Sequence, residues 1–221
     1  RRQRQMCIRD RVNGEADEAS EVLWKLGANY AVSDFLSVYY NFAQGQTPSG
    51  QTVLVGTSLE RESVDSHDIG VYYVAANLSL GAAYFTYDYK NLVVGIDDPV
   101  TGLPKQVNYD EASISGFEFQ GEYTFNDAFS AYLTYGFNDA EYGKNDDVDG
   151  IINYEGNQYR FSPEFSYAVG VRFNTDKLRS TLSWNYIDDV FFEASNDPDT
   201  LQEGYGLLNA SVEYQVTDAL T

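Results

Sequence analysis

From Glu21 onward apolar side chains recur at every second position, and this periodicity limits the possible folds more than any other feature of the sequence. A two-residue repeat sends alternate side chains to opposite sides of an extended strand, leaving one face apolar and the other polar. Between Phe129 and Asn138, one face carries Phe129, Ala131, Leu133, Tyr135 and Phe137, and the other carries Ser130, Tyr132, Thr134, Gly136 and Asn138. The same division sets Phe117, Phe119, Tyr123 and Phe125 against Glu118, Gln120, Glu122 and Thr124. It also sets Leu182, Trp184 and Tyr186 against Thr181, Ser183 and Asn185. Helical spacing is absent. The pattern predicts an all-β chain of about nine strands, near 21–32, 35–44, 62–74, 78–95, 109–125, 129–142, 159–173, 178–192 and 204–216.

The connections alternate between two kinds. Tight reversals follow a recurring signature: Tyr30 to Ser37, Tyr123 to Ser130 and Tyr214 to Thr221, with looser copies around Asn77 and Asp176. Asp or Asn after a small polar residue bonds its own backbone and tolerates turn geometry. The other reversals, Gly45 to Ser58, Gly95 to Asn108, Gly143 to Gln158 and Glu193 to Gly204, are long, polar and mostly acidic. Short turns at one end and long loops at the other, on strands of about ten residues or more, are what an antiparallel up-and-down transmembrane β-barrel requires. In hydrocarbon every backbone N–H and C=O must be paired by a neighbouring strand, and a closed cylinder achieves this. Tyr30, Tyr73, Tyr123, Phe129, Phe173 and Tyr214 flank the short turns, where an interfacial aromatic girdle would sit. A soluble β domain with the same aromatics in its core is the competing reading.

Composition removes other classes. With 14 Lys+Arg against 34 Asp+Glu and a formal charge of −20, the chain lacks the basic surface a nucleic-acid partner demands. No stretch approaches the ~18 consecutive apolar residues of a membrane helix. One Cys and one His allow neither an internal disulfide nor an imidazole-rich metal cage. Residues 1–11 differ from the rest, with five basic residues, the only Cys and the only Met, and no apolar run of a signal peptide behind them. They read as a non-native, adapter-derived leader ahead of a barrel segment covering 12–221.

Chemistry-bearing constellations are sparse. His67 lies on a strand with no nucleophile motif near it, so no catalytic relay is expected and the chain reads as a non-enzyme. Asn145, Asp147 and Asp149 match the first half of a calcium loop, but the twelfth position is Gly156 and the acid falls at Glu155. An acidic surface loop is the plainer reading. Asp197-Pro198 within a polar cluster reads as a turn. No cofactor is implied.

One resemblance spans nearly all of residues 20–221. Leu59 to Gly70 resembles the L-x-P-E-x-x-x-S-x-E-x-G segment of TonB-dependent outer-membrane receptor barrels, with Arg61 in place of the Pro and Asp68 in place of the second Glu. In the same order follow Tyr84 to Val93, Asn108 to Glu118 with Gly116-Phe117-Glu118, Tyr135 to Ala140, Ser162-Pro163-Glu164, Trp184-Asn185-Tyr186 and Tyr205 to Ala210. The resemblance implies a slice of a barrel of about 22 strands whose lumen holds an N-terminal plug. It implies location in a bacterial outer membrane, in contact with its lipid, and import of a small-molecule ligand such as a ferric siderophore, cobalamin or oligosaccharide. A TonB-type energy-coupling protein would act through the plug. Glu118, Gln120, Glu122, Arg172, Arg179 and Glu213 are then the lumen-facing candidates. A surface β-sheet adhesin and a passive porin are the alternatives, and the full reading frame separates them.

Overall fold

The computed structural model describes residues 22–47, 59–97, 101–144 and 154–217. Nine long strands form one antiparallel sheet: β1 (Lys25–Ala31), β2 (Leu36–Gln46), β3 (Ser63–Ala75), β4 (Leu78–Asp97), β5 (Pro104–Asn126), β6 (Phe129–Tyr142), β7 (Phe165–Asn174), β8 (Leu178–Ile187) and β11 (Tyr205–Tyr214). A two-stranded pair, β9 (Val190–Phe191) and β10 (Leu201–Gln202), stands between β8 and β11. Each long strand pairs with its predecessor in the sheet, and β1 and β11 do not pair with each other. The architecture is therefore an open slice of an up-and-down barrel, as the alternation predicts.

Directly paired residues share a face, so the register sorts the side chains. One row reads Ala28, Tyr40, Ile69, Tyr84, Phe117, Phe137 and Phe165 from β1 to β7. Two residues nearer the short turns runs Tyr30, Val38, Val71, Ala82, Phe119, Tyr135, Tyr167 and Tyr186. The opposite face carries Asn41 with Asp68, and Gln120 with Thr134, Ala168 and Asn185. The first row crosses β1 at its middle, Ala28, and reaches β7 at its long-loop end, Phe165, so the strands climb steadily past one another. This stagger is the shear that curls a sheet toward a barrel.

Among the described residues no second layer covers the apolar face. Ile69, Tyr84, Leu182, Leu208 and Val212 are all exposed, Val212 at 73%. A Leu, Val or Phe side chain left in water forgoes about 1.5–3 kcal/mol of burial. A soluble sheet buries such a face against a helix or second sheet, so this one calls for hydrocarbon. On β6 the apolar stretch runs from Phe129 to Phe137, about 27 Å along the strand at ~3.3 Å per residue. At a tilt of about 40° that spans about 20 Å, close to the ~25 Å apolar band of such barrels.

The tight turns differ from expectation in one respect. The residue before the signature Asp supplies the capping oxygen: Ser33 Oγ accepts from the Phe35 and Leu36 N–H groups, and Asn126 Oδ1 from those of Ala128 and Phe129. Thr175 Oγ1 likewise accepts from Leu178 N–H at 3.1 Å. A side chain one position earlier reaches forward over the reversal, leaving the Asp at the turn's outer corner.

Three boundaries are corrected. The predicted long loop from Gly95 to Asn108 is mostly strand: β4 runs to Asp97 and β5 starts at Pro104, paired across Asp97 and Pro104. Strand β7 begins at Phe165, not 159, because Phe161 adopts φ +60° in a turn at 160–161. Strand β8 ends at Ile187, not 192, and Asp197 caps a 3-10 turn over Pro198–Thr200, the turn its Asp-Pro step predicts.

The closed hydrophobic core lies beyond the apolar stretch, in the outer extensions of β4 to β6. Leu92, Val94, Tyr109, Ala112 and Tyr142 are buried together, with Tyr154 and Tyr159 packed on them. Asn91 takes φ +55°, and this kink breaks the alternation so that Leu92 and Tyr109 join Ala112 and Tyr142 on one side. Tyr109 meets Tyr142 edge-on at 5.3 Å and donates to the Gly143 carbonyl at 3.1 Å. The loops are tied down as well. Asn196 Nδ2 donates to the Gln158 carbonyl while its Oδ1 accepts from Gln158 N–H, joining the 154–164 and 188–204 connections.

Two outcomes follow. In bilayers, Leu133→Lys is expected to destabilise the full-length barrel by about 2–4 kcal/mol, while Thr134→Lys on the other face costs under about 1 kcal/mol, measured by reversible unfolding. Burial raises the Tyr142 phenol to about 12, partly offset by Arg160. Because the folded state holds this proton more tightly than the unfolded chain, the outer core keeps its stability below pH 10 and loses it progressively between pH 10 and 12. Hydrogen exchange of residues 107–112 should show this loss, and Tyr142→Phe should reduce it.

Candidate functional site

The polar face of the sheet is the surface on which a solute could bind. Its curvature and short side chains leave a concavity of ≈ 570 Å³ lined by Tyr39, Tyr72, Glu118, Gln120, Thr134 and Asn185 among others. All six residues assigned to a lumen from the sequence lie on this face. Glu118 pairs with Gly136, Gln120 with Thr134, Glu122 with Tyr132, Arg172 with Ser130 and Arg179 with Glu213.

The structure divides those six into three groups. Arg172 Nη1 donates to Glu122 Oε1 at 2.7 Å, reaching diagonally from β7 to β5 across the intervening Tyr132. Its guanidinium lies 4.2 Å from the Tyr132 ring centroid, so the cation is held by a carboxylate and a π-face together. Arg179 and Glu213 meet at 3.7 Å and are largely exposed, a pair of small energetic weight. Glu118 and Gln120 line the concavity.

Glycines determine how the aromatics on this face lie. A Cβ on Gly170 would strike the ring of Tyr132, and one on Gly70 would strike the ring of Tyr39. Each ring therefore rests against bare backbone, a place only glycine leaves open. Tyr39 also donates its hydroxyl to Asp68 Oδ1 at 3.1 Å, and its ring sits 5.6 Å from that of Tyr72 with 19° between planes. The sequence reading missed Tyr39, Tyr72 and Asp68. The signal available for them was the set of glycines inside strands, which marks close approach without naming what approaches.

The six girdle candidates all lie on the apolar face beside the short turns. Tyr123 and Phe125 meet edge-on at 4.8 Å, and Phe125 and Phe129 at 5.1 Å, around the register shift at Phe125. A second aromatic level, unpredicted, crosses the same face nearer the long loops: Tyr40, Tyr84, Phe117, Phe137 and Phe165, with Phe165 stacked on Tyr186 at 5.7 Å. Above it the face turns polar through His67, Thr86, Ser115 and Asp139. His67 Nδ1 and the Tyr40 hydroxyl are 2.8 Å apart at this border. Asn145, Asp147 and Asp149 lie outside the described residues.

The Leu59 to Glu62 stretch has a structural task. Beyond the Asn91 kink the Val93 N–H donates to Glu62 Oε2 at 3.0 Å. Asn108 Nδ2 donates to the Glu60 carbonyl while its Oδ1 accepts from Glu60 N–H. The segment therefore fastens the β2–β3 connection to the outer extension of β4 and β5.

Comparison with known proteins accords with this geometry. The family model described as TonB dependent receptor-like, beta-barrel, matches residues 8–221. The pesticin receptors of Yersinia enterocolitica and Yersinia pestis are 25% identical over 210 residues, which is 90% of this chain and 30% of theirs. The crystal structure of the ferric yersiniabactin uptake receptor from Yersinia pestis superposes with a TM-score of 0.74 at 24% identity, over 90% of this chain and 30% of that one. The closed form of the ferric-catecholate import receptor from E. coli K12 superposes at 0.64, with 22% identity over 89% of this chain and 29% of that one. The chain thus spans about 30% of the length of these relatives. With an open nine-stranded sheet of one apolar and one polar face, and matched by that model along almost its whole length, the chain belongs to the TonB-dependent receptor β-barrel family.

Proposed function

We propose that this chain forms part of the barrel wall of a bacterial outer-membrane receptor that imports a scarce nutrient, with a ferric siderophore as the ligand class. The observation that carries the reading is the two-faced sheet: one side is apolar and exposed, as lipid requires, and the other is polar and concave, as a wet lumen requires, in a chain of this family. The ligands named for two of the similar structures, ferric yersiniabactin and ferric catecholates, support iron chelates over cobalamin or oligosaccharides. The role is transport, not catalysis. Energy would come from a TonB-type protein acting on a plug domain inside the complete barrel. The aromatic levels on the apolar face would sit at the two lipid–water borders. The lumenal charges would set the field along the wall, with the Arg172–Glu122 pair neutralised internally.

The test uses the complete reading frame, expressed in an iron-starved bacterial strain that lacks its own siderophore receptors. Radiolabelled iron supplied on phenolate, catecholate or citrate carriers is expected to accumulate on at least one carrier, and only when TonB is present. Absence of uptake on all three, or flux that persists without TonB as in a passive pore, overturns the proposal.

A further inference from the structure

Three aromatic rings lie against the polar face of β2 to β4. Tyr39 covers the bare Cα of Gly70 and Phe85 that of Gly116, so that a Cβ at either glycine would strike the ring above it, while a Cβ at Gly81 would meet Gln120 first and the edge of Tyr72 at 3.1 Å. A ring laid on backbone turns its other π-face to the lumen. Tyr39 and Tyr72 stack with their centroids 5.6 Å apart and 19° between planes, and Tyr72 is 43% exposed. Acid borders the pair. Asp68 accepts the Tyr39 hydroxyl and lines one adjoining concavity, and Glu118 lines the other.

A fourth ring on the same face shows what such an arrangement accepts. Tyr132 lies over Gly170, the Arg172 guanidinium sits 4.2 Å above the Tyr132 ring, and Glu122 holds the cation from the side. The unit consists of glycine, ring, cation and carboxylate. Around Tyr39 and Tyr72 the glycines, rings and carboxylates are present, and among the described residues neither adjoining concavity is lined by a Lys or Arg. We infer that Tyr39 and Tyr72, with Asp68 and Glu118, form a binding site for a guanidinium or alkylammonium group on a small solute in the lumen. The ring quadrupole attracts the cation, and the carboxylates add a Coulomb term that salt weakens. The inference goes beyond iron import and requires only that this face be wetted.

Agmatine, which carries both cationic groups, is the probe, titrated into the full-length receptor in detergent and followed by ligand-observed NMR. Binding on the order of millimolar is expected, with Tyr72→Leu weakening it about fivefold and Tyr72→Phe, which keeps the ring, holding it within about twofold. Asp68→Asn should weaken binding and flatten its salt dependence. Tyr132→Leu, whose ring already carries Arg172, should leave it unchanged. Heat-modifiable gel migration establishes that each variant is folded. Agmatine that fails to bind, that binds wild type and Tyr72→Leu equally, or that is weakened as much by Tyr132→Leu overturns the site. None of these results depends on TonB, so the uptake assay stands or falls separately.

Discussion

Everything in this molecule depends on backbone N–H and C=O groups finding partners on the next strand, since a single sheet layer has no other element to serve them. Strand-to-strand pairing runs unbroken from β1 to β11, and only at Asn91 and Phe125 does the ladder step aside. A helix would satisfy its own backbone but could not present lipid-facing and wet side chains at alternate positions. A single sheet layer does both, at the cost of having no interior along the apolar stretch. The buried core consequently moved outward, to Leu92, Tyr109 and Tyr142, where water on every side makes burial worthwhile.

The alternation itself was plain in the residues. Phe129 to Asn138 reads as a two-faced strand from its residues alone, and the register places the six charged or amide candidates on one face of the sheet and the six aromatic candidates on the other. The outer extensions were hidden by their composition. Gly95 to Asn108 contains two Pro, two Gly-type breakpoints and paired Asp, which read as loop, yet Pro104 takes the first position of its strand, where a missing N–H costs least. The turn caps were misplaced by one residue because Ser-Asp, Asn-Asp and Thr-Asp offer two oxygens in succession, and only backbone direction decides which one reaches the amides.

The polar surface was legible as polar and not as a site. Asp68 and Tyr39 are 29 residues apart and meet only because β2 and β3 share a particular register. Tyr132 and Arg172 meet for the same reason across β6 and β7. A glycine within a strand reports that something lies close, and its partner appears once the strands are set side by side. Pairing across strands, unlike pairing along a helix, carries no fixed sequence offset from which the contact could be read.

The unequal length of the strands gives the assembly a lopsided crown. Strands β4 and β5, at 20 and 23 residues, stand well above β7 and β8 at 10 residues each, and they are braced by their own tyrosine core and by the strap through Glu60 and Glu62. Among the described strands, the tall pair therefore forms a stiff turret at the long-loop edge, and whatever meets that edge meets β4 and β5 as one braced unit.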